Sequence, residues 1–273
     1  RENTRNIKRN STFSNSGNIN LNGTNGIFAY IDTPTTIGAI SGSWDKDGVT
    51  ESVGNGSSGS TSNGWKITNT GDLNLSGNNN TGIFINNRWR YHTAEIKLDK
   101  EMTISGTENT GIYFKGWTSL DGKDTNGAPS TFYNGNAGTT SANASVLNMK
   151  IIGTKSTGIY FDYNGTDTSN DNRDKFNLTG TSTLESTGGG AGLGNILIYN
   201  KAGVVELGSA MTLKPNGEES VGIVNVSNKI TGPNIDTTLT TAATITGTAK
   251  NAVGIYSTGT GYTKNTGTIT MTG

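Results

Sequence analysis

Apolar positions in this chain fall into two short patterns that take turns. The first is a strict alternation ending in glycine: Ile19-Asn20-Leu21-Asn22-Gly23, Leu73-Asn74-Leu75-Ser76-Gly77, Met102-Thr103-Ile104-Ser105-Gly106 and Ala243-Thr244-Ile245-Thr246-Gly247. A period of two puts one face inward and one outward, which predicts half-buried strands. The second is a phrase that opens on Gly-Ile and usually continues with an aromatic residue: Asn25-Gly26-Ile27-Phe28, Thr81-Gly82-Ile83-Phe84, Thr110-Gly111-Ile112-Tyr113, Thr157-Gly158-Ile159-Tyr160, Val221-Gly222-Ile223-Val224 and Val253-Gly254-Ile255-Tyr256. A degenerate copy stands at Gly194-Asn195-Ile196-Leu197. A Gly-containing turn of about five residues separates the two patterns, too short for a crossover helix.

The unit is therefore strand, turn, strand, and it recurs. Successive Gly-Ile marks lie 29 positions apart from Gly82 to Gly111 and 32 apart from Gly222 to Gly254, with longer gaps elsewhere. Units of this size cannot bury their apolar residues alone, so they are expected to stack. The expected fold is all-β: a right-handed parallel β-helix, or β-solenoid, with long loop insertions. Each inward residue would lie about 4.8 Å from its equivalent in the next coil. Ile27, Ile83, Ile112, Ile159, Ile196, Ile223 and Ile255 would form an aliphatic column, each buried side chain contributing about 1.5–3 kcal/mol. Phe28, Phe84, Tyr113, Tyr160 and Tyr256 would form an aromatic column facing outward. The closing run Gly267-Thr268-Ile269-Thr270-Met271-Thr272-Gly273 reads as the opening strand of another repeat, as expected of a segment of a longer rod.

The repeats differ beyond the Gly-Ile strand. Long stretches separate Ile27 from Leu73, Ile83 from Met102, Ile112 from Leu147 and Ile159 from Phe176, and they stop after Ile196. Equivalent positions of stacked coils share a side, so these insertions are expected to crowd one face. The chain then reads as a single segment, 1–273, decorated with loops over 1–175 and plainer and stalk-like over 176–273.

Composition changes the picture at one point. Only 30% of the 273 residues are hydrophobic and 15% are charged, while Thr, Gly, Asn and Ser make up slightly more than half. That excludes a coiled coil and a membrane-spanning helix. It would suggest disorder, were Thr, Ile and Val not spread through the repeats. On a stacked rod a thin core suffices, because backbone hydrogen bonds run from coil to coil. The 21 basic and 21 acidic residues balance, leaving no net field to attract nucleic acid or an anionic membrane. No cysteine is present, so there is neither a disulfide nor a thiolate site.

Candidate chemistry sits in the insertions. The run Arg88-Trp89-Arg90-Tyr91-His92 holds the only histidine, and Trp117, Tyr133, Tyr163 and Arg173 add rings and a guanidinium. Aromatic faces beside Arg hold sugars or partner side chains, and such rings also pin a loop to the body beneath it. Asp162, Asp167, Asp171 and Asp174 bring oxygen donors that suit calcium, but their spacing reproduces no EF-hand or Gly-Gly-x-Gly-x-Asp repeat. A solvated polar loop without metal is the expectation. Thr187-Gly188-Gly189-Gly190-Ala191-Gly192-Leu193-Gly194 lacks the Lys-Ser/Thr of a phosphate loop and reads as a tight turn. No carboxylate pair recurs on a strand face and no nucleophile elbow is present, so no catalytic residue and no cofactor are expected. Thr244-Ile245-Thr246 and Thr268-Ile269-Thr270 are similar to ice-binding arrays, which insertions would interrupt.

With its Asn/Thr/Gly/Ser-rich repeats punctuated by Thr-Gly-Ile-Phe and Thr-Gly-Ile-Tyr, the chain resembles the passenger of a type V secretion autotransporter. It is most similar to the large outer-membrane adhesins of fusobacteria. The resemblance implies a right-handed β-helix on the bacterial surface, outside the cell, anchored through an outer-membrane barrel that is not in this chain. It implies a monomeric passenger that binds host-cell glycans or protein receptors, or other bacterial surfaces, and is not itself embedded in the membrane. A purely structural spacer and a polysaccharide-active enzyme are the alternatives.

Overall fold

A computed structural model describes residues 11–32, 44–46, 49–51, 64–86, 93–116, 131–134, 147–163, 175–178, 180–227 and 237–273. Among them there is no helix. The chain opens with β1 (Ser11–Asn15), β2 (Ile19–Leu21) and β3 (Ile27–Asp32), followed by a small antiparallel hairpin, β4 (Trp44–Lys46) and β5 (Val49–Glu51). From there strands follow in threes: β6 (Gly64–Asn69), β7 (Leu73–Leu75), β8 (Thr81–Asn86); β9 (Thr93–Leu98), β10 (Met102–Ile104), β11 (Thr110–Lys115); β12 (Thr131–Asn134), β13 (Met149–Ile151), β14 (Thr157–Asp162). The pattern continues with β15 (Lys175–Leu178), β16 (Ser182–Ser186), β17 (Ile196–Lys201); β18 (Val204–Leu207), β19 (Met211–Pro215), β20 (Val221–Ser227); β21 (Thr237–Thr241), β22 (Thr244–Gly247), β23 (Val253–Gly259); and finally β24 (Tyr262–Asn265) and β25 (Ile269–Met271).

Apart from β4 and β5, every third strand joins the same sheet, and all neighbours there are parallel. The first sheet runs β1-β6-β9-β12-β15-β18-β21-β24, the second β2-β7-β10-β13-β16-β19-β22-β25, and the third β3-β8-β11-β14-β17-β20-β23. The protein is thus all-β, with parallel strands in stacked sheets visited cyclically, an arrangement consistent with a β-solenoid. Each circuit has three strands, not the two of the sequence-derived unit. The missing strand lies inside the stretches read as insertions for β6, β9 and β12, while β15 begins where the fourth stretch, Ile159 to Phe176, ends.

That correction reassigns the loops. Residues 33–63, 87–92, 116–130, 163–174 and 228–236 all connect the third sheet to the first, whereas 135–148 connects β12 of the first sheet to β13 of the second. So the stretch from Ile112 to Leu147 is two connections at different corners. At the far end β17 and β18 are joined by Ala202-Gly203 alone.

The second-to-third corner is the most regular. It has five residues in every circuit but one, and its fourth residue is left-handed each time: Asn25, Asn79, Glu108, Lys155, Glu219 and Asn251, with φ between 51° and 62°. Asn tolerates that conformation best among residues with a side chain. Its second residue, glycine until Ala249 replaces it in the last circuit, is small for a different reason. A Cβ on Gly106 would overlap the carbonyl oxygen of Gly77 in the circuit before, and one on Gly153 that of Gly106. The exception in length is the Gly-rich run: nine residues, 187–195, link β16 to β17, with Gly189, Gly190 and Gly192 at positive φ and Leu193 N–H donating to the Gly190 carbonyl at 2.9 Å. This is a turn, as the sequence indicated.

A buried polar ladder closes the same corner. The Asn109 side chain accepts from Asn80 N–H (2.7 Å) and donates to the carbonyls of Gly77 (2.8 Å) and Leu75 (3.4 Å). Asn80 repeats this toward the circuit before, accepting from Gly26 N–H, and Asn195 toward Ser156 N–H and the Gly153 carbonyl. These bonds satisfy turn groups that would otherwise be buried unpaired.

Register corrects both columns. Thr81 of β8 lies opposite Ile27 and Ile83 opposite Ala29; farther on, Ile159 pairs with Ile198 rather than Ile196. The aliphatic column is Ala29, Ile83, Ile112, Ile159, Ile198, Ile223 and Ile255. Ile27 is instead 46% exposed. Phe28 stands opposite the glycine of the next circuit and turns inward, edge-on to Phe13 with ring centroids 5.6 Å apart.

Candidate functional site

Outward residues of the third sheet form the most organised surface among the described residues. Tyr30, Phe84, Tyr113, Tyr160 and Tyr199 sit at one register position of successive strands, and their rings stack with centroids 4.8–5.2 Å apart and planes within 10° of parallel. The spacing is that of parallel strands, so the backbone imposes the stack. Phe28 and Tyr256 were expected in this column. Phe28 faces inward, and Val224 separates Tyr256 from Tyr199.

Two positions along, toward the loop-bearing corner, runs a row of charge. Lys115, Asp162 and Lys201 lie side by side on β11, β14 and β17. The Asp162 carboxylate, only 9% exposed, takes the Lys201 ammonium at 3.0 Å on one oxygen and the Tyr113 hydroxyl at 3.0 Å on the other. Burial, followed by the Asp162 charge and this hydrogen bond, holds the Tyr113 phenol well above its usual range. Burial and the same carboxylate push Tyr160 up to about 12. Both are neutral hydroxyls at physiological pH. Backbone pairing carries on past the strand ends here, Gly116 N–H donating to the Asp162 carbonyl (2.7 Å) and Tyr163 N–H to that of Lys201 (2.9 Å). The first residue of each departing loop is thereby fixed.

The residues singled out from sequence distribute unevenly about this corner. Arg88, Trp89, Arg90, Tyr91, His92, Trp117 and Arg173, with Asp167, Asp171 and Asp174, lie outside the described residues. Tyr133 lies on β12 opposite Glu95 and Asn177, its side chain likewise outside them. Tyr163 is buried, 3% exposed. Asp162 serves the ion pair and the Tyr113 hydrogen bond, and among the described residues no three His, Cys, Asp or Glu side chains group as metal ligands.

Sequence reading missed Tyr30 and Tyr199, because it aligned every copy on Gly-Ile. A usable signal was present. From the last inward residue of the second-sheet strand to the first residue of the third-sheet strand is six positions for Leu21 to Ile27, Leu75 to Thr81, Ile104 to Thr110 and Ile151 to Thr157. That constant step puts Tyr30 beside Phe84.

The chemistry open to the ladder follows from its geometry. A ring stacked on both faces offers a ligand only its edge and hydroxyl, so face-on stacking is possible only where the ladder is interrupted or ends. No protein-family model, no curated protein and no solved structure matches this chain.

Proposed function

We propose that this chain is a segment of a bacterial cell-surface adhesin: a passenger of the type V autotransporter kind, similar to the large fusobacterial adhesins. In this reading it is a right-handed parallel β-helix, outside the cell, monomeric, and carried on an outer-membrane barrel elsewhere in the parent protein. Loops of its first two-thirds bind host-cell glycans or protein receptors, or other bacteria, and it performs no catalysis. The observation that carries the reading is the placement of the connections. The second-to-third corner keeps five residues nearly throughout, while the third-to-first corner takes connections of 31, six, 15 and 12 residues (33–63, 87–92, 116–130, 163–174). A stack that varies its connections mainly at one corner is suited to presenting contacts along that edge. The absence of cysteine fits export of an unfolded chain.

The test uses a connection the protein already has. Replacing residues 87–92 by Ala-Gly, the pair that joins β17 to β18, removes Arg88 through His92 and keeps a span of proven length. The far-ultraviolet β signal should persist while retention of the fragment on host cells or bacteria falls. Undiminished retention would remove that loop from the reading. A structural spacer has its own support in residues 180–227, where the two-residue connection leaves nothing to present. Failure of the whole fragment to bind any cell or glycan would favour it.

A further inference from the structure

Tyr113, Tyr160 and Tyr199 are an unbroken run of phenols, stacked with centroids 4.8–4.9 Å apart and planes 4° from parallel. Phe84 bounds the run on one side and Val224 on the other, at the same register position. Neither of those side chains gives up an electron to an oxidant that oxidises phenols. Tyr30, beyond Phe84, is thereby set apart from the three. The chain has no cysteine, so its readily oxidised groups are phenols, indoles and thioethers.

The three phenols differ in one respect. Among the described residues, only the Tyr113 hydroxyl donates to a carboxylate, reaching Asp162 Oδ2 at 3.0 Å. A phenol that loses an electron becomes a strong acid, and a carboxylate within hydrogen-bond reach of its proton is placed to take it in the same event. Lys201 holds the other oxygen of Asp162 at 3.0 Å and keeps the carboxylate beside the ladder. That carboxylate acts in opposite senses on two reactions. Loss of the proton alone would set a phenolate against it and is disfavoured. Loss of an electron, with the proton passed to Asp162, leaves a neutral phenoxyl beside a neutral carboxylic acid, and no like charges face each other. Tyr160 and Tyr199 have the ring contacts without that hydrogen bond, so an electron vacancy formed on either moves along the stack and settles on Tyr113.

We propose that Tyr113, with Asp162 as its proton acceptor and Tyr160 and Tyr199 as relays, is a one-electron oxidation site that quenches oxidising radicals from the medium. With the azidyl radical as oxidant the step balances. Azidyl gains the electron and becomes azide, the Tyr113 O–H bond breaks, the proton forms an O–H bond at Asp162 Oδ2, and a phenoxyl radical remains. A one-electron reductant restores the phenol, the proton returning from Asp162. The site is independent of the adhesive reading of the loops.

Pulse radiolysis of the full chain in azide buffer tests it, followed by phenoxyl absorbance and by EPR of freeze-quenched samples in light and heavy water. The wild type should hold a long-lived phenoxyl whose spectrum carries an exchangeable coupling from the proton on Asp162. Tyr113→Phe, whose ring suits the column as Phe84 does, should lose that coupling and shorten the lifetime about tenfold or more. Asp162→Ala should do the same with the phenol still in place, which separates proton acceptance from the ring itself. Circular dichroism shows whether that variant folds, and Tyr113→Phe decides the matter if it does not. Tyr160→Phe should lower the radical yield at Tyr113, and Tyr30→Phe should leave both yield and lifetime unchanged. A wild-type radical no longer lived than that of Tyr113→Phe, a spectrum without the exchangeable coupling, an unchanged radical in a folded Asp162→Ala, or an unchanged yield in Tyr160→Phe would overturn the proposal.

Discussion

Removing the Asn109 side chain tests whether buried polar bonds, rather than apolar area alone, hold the stacked sheets together. Asn109 is 1% exposed and makes one short bond from each end of its amide, accepting from Asn80 N–H at 2.7 Å and donating to the Gly77 carbonyl at 2.8 Å. Its third partner, the Leu75 carbonyl, also accepts from Ser105 and Gly106 N–H, so it stays satisfied in Asn109→Ala. The other two do not. Leaving a buried donor or acceptor unpaired costs about 1–3 kcal/mol, giving about 2–6 kcal/mol for the pair. Relaxation into the space of a small side chain brings the expectation to about 2–4 kcal/mol. Ser76→Ala, which loses an exposed hydrogen bond to Asn20, is the control and should change stability by less than about 0.5 kcal/mol. Two measurements apply: the urea midpoint, and exchange of the Asn80 amide, whose protection should fall about 30- to 700-fold at 1.4 kcal/mol per decade. Asn109→Asp restores an acceptor for Asn80 but sets a carboxylate oxygen against the Gly77 carbonyl, so it should recover protection at Asn80 without recovering the midpoint. If Asn109→Ala matched Ser76→Ala in both measurements, the ladder would be an ornament of the turn.

Two further outcomes come from close approach and from charge. Gly106→Ala places a methyl group on the Gly77 carbonyl oxygen and should cost about 3 kcal/mol or more, whereas Gly23→Ala, with nothing within 4 Å of the new Cβ, should be nearly neutral in the same urea titration. In alkaline titration by phenolate absorbance, Tyr113 and Tyr160 should ionise above the ordinary tyrosine range. Because their folded values exceed the ordinary value of about 10, the neutral phenols contribute stability below pH 10, and it is lost as pH rises from there through about 12 for Tyr160. Asp162→Asn should bring both titrations earlier, and an unchanged curve would remove the carboxylate as a cause.

Much of the fold was legible because a parallel stack repeats its demands in sequence. Alternation at Leu73-Asn74-Leu75 and Met102-Thr103-Ile104 marked the second sheet, and Gly-Ile the third. The first sheet was not legible in the same way. Its strands carry no shared phrase: Trp65 through Asn69, Ala94 through Leu98 and Phe132 through Asn134 pair strand by strand with different sequences. The ladder was half legible, since Phe84, Tyr113 and Tyr160 share the Gly-Ile frame and Tyr30 and Tyr199 do not.

Periodicity and composition are local and additive, and they suffice to make the chain β, repetitive, thinly cored and free of net charge. Which residues stand next to one another is a property of the folded circuits alone. Register between strands is set by the inward packing of Ala29, Ile83, Ile112 and Ile198 and by turn length, and a shift of two residues leaves the alternation intact while exchanging every neighbour in the column. That is why Tyr30 joins the ladder, Phe28 enters the core, and Val224 stands between Tyr199 and Tyr256, which lie 57 positions apart in the chain.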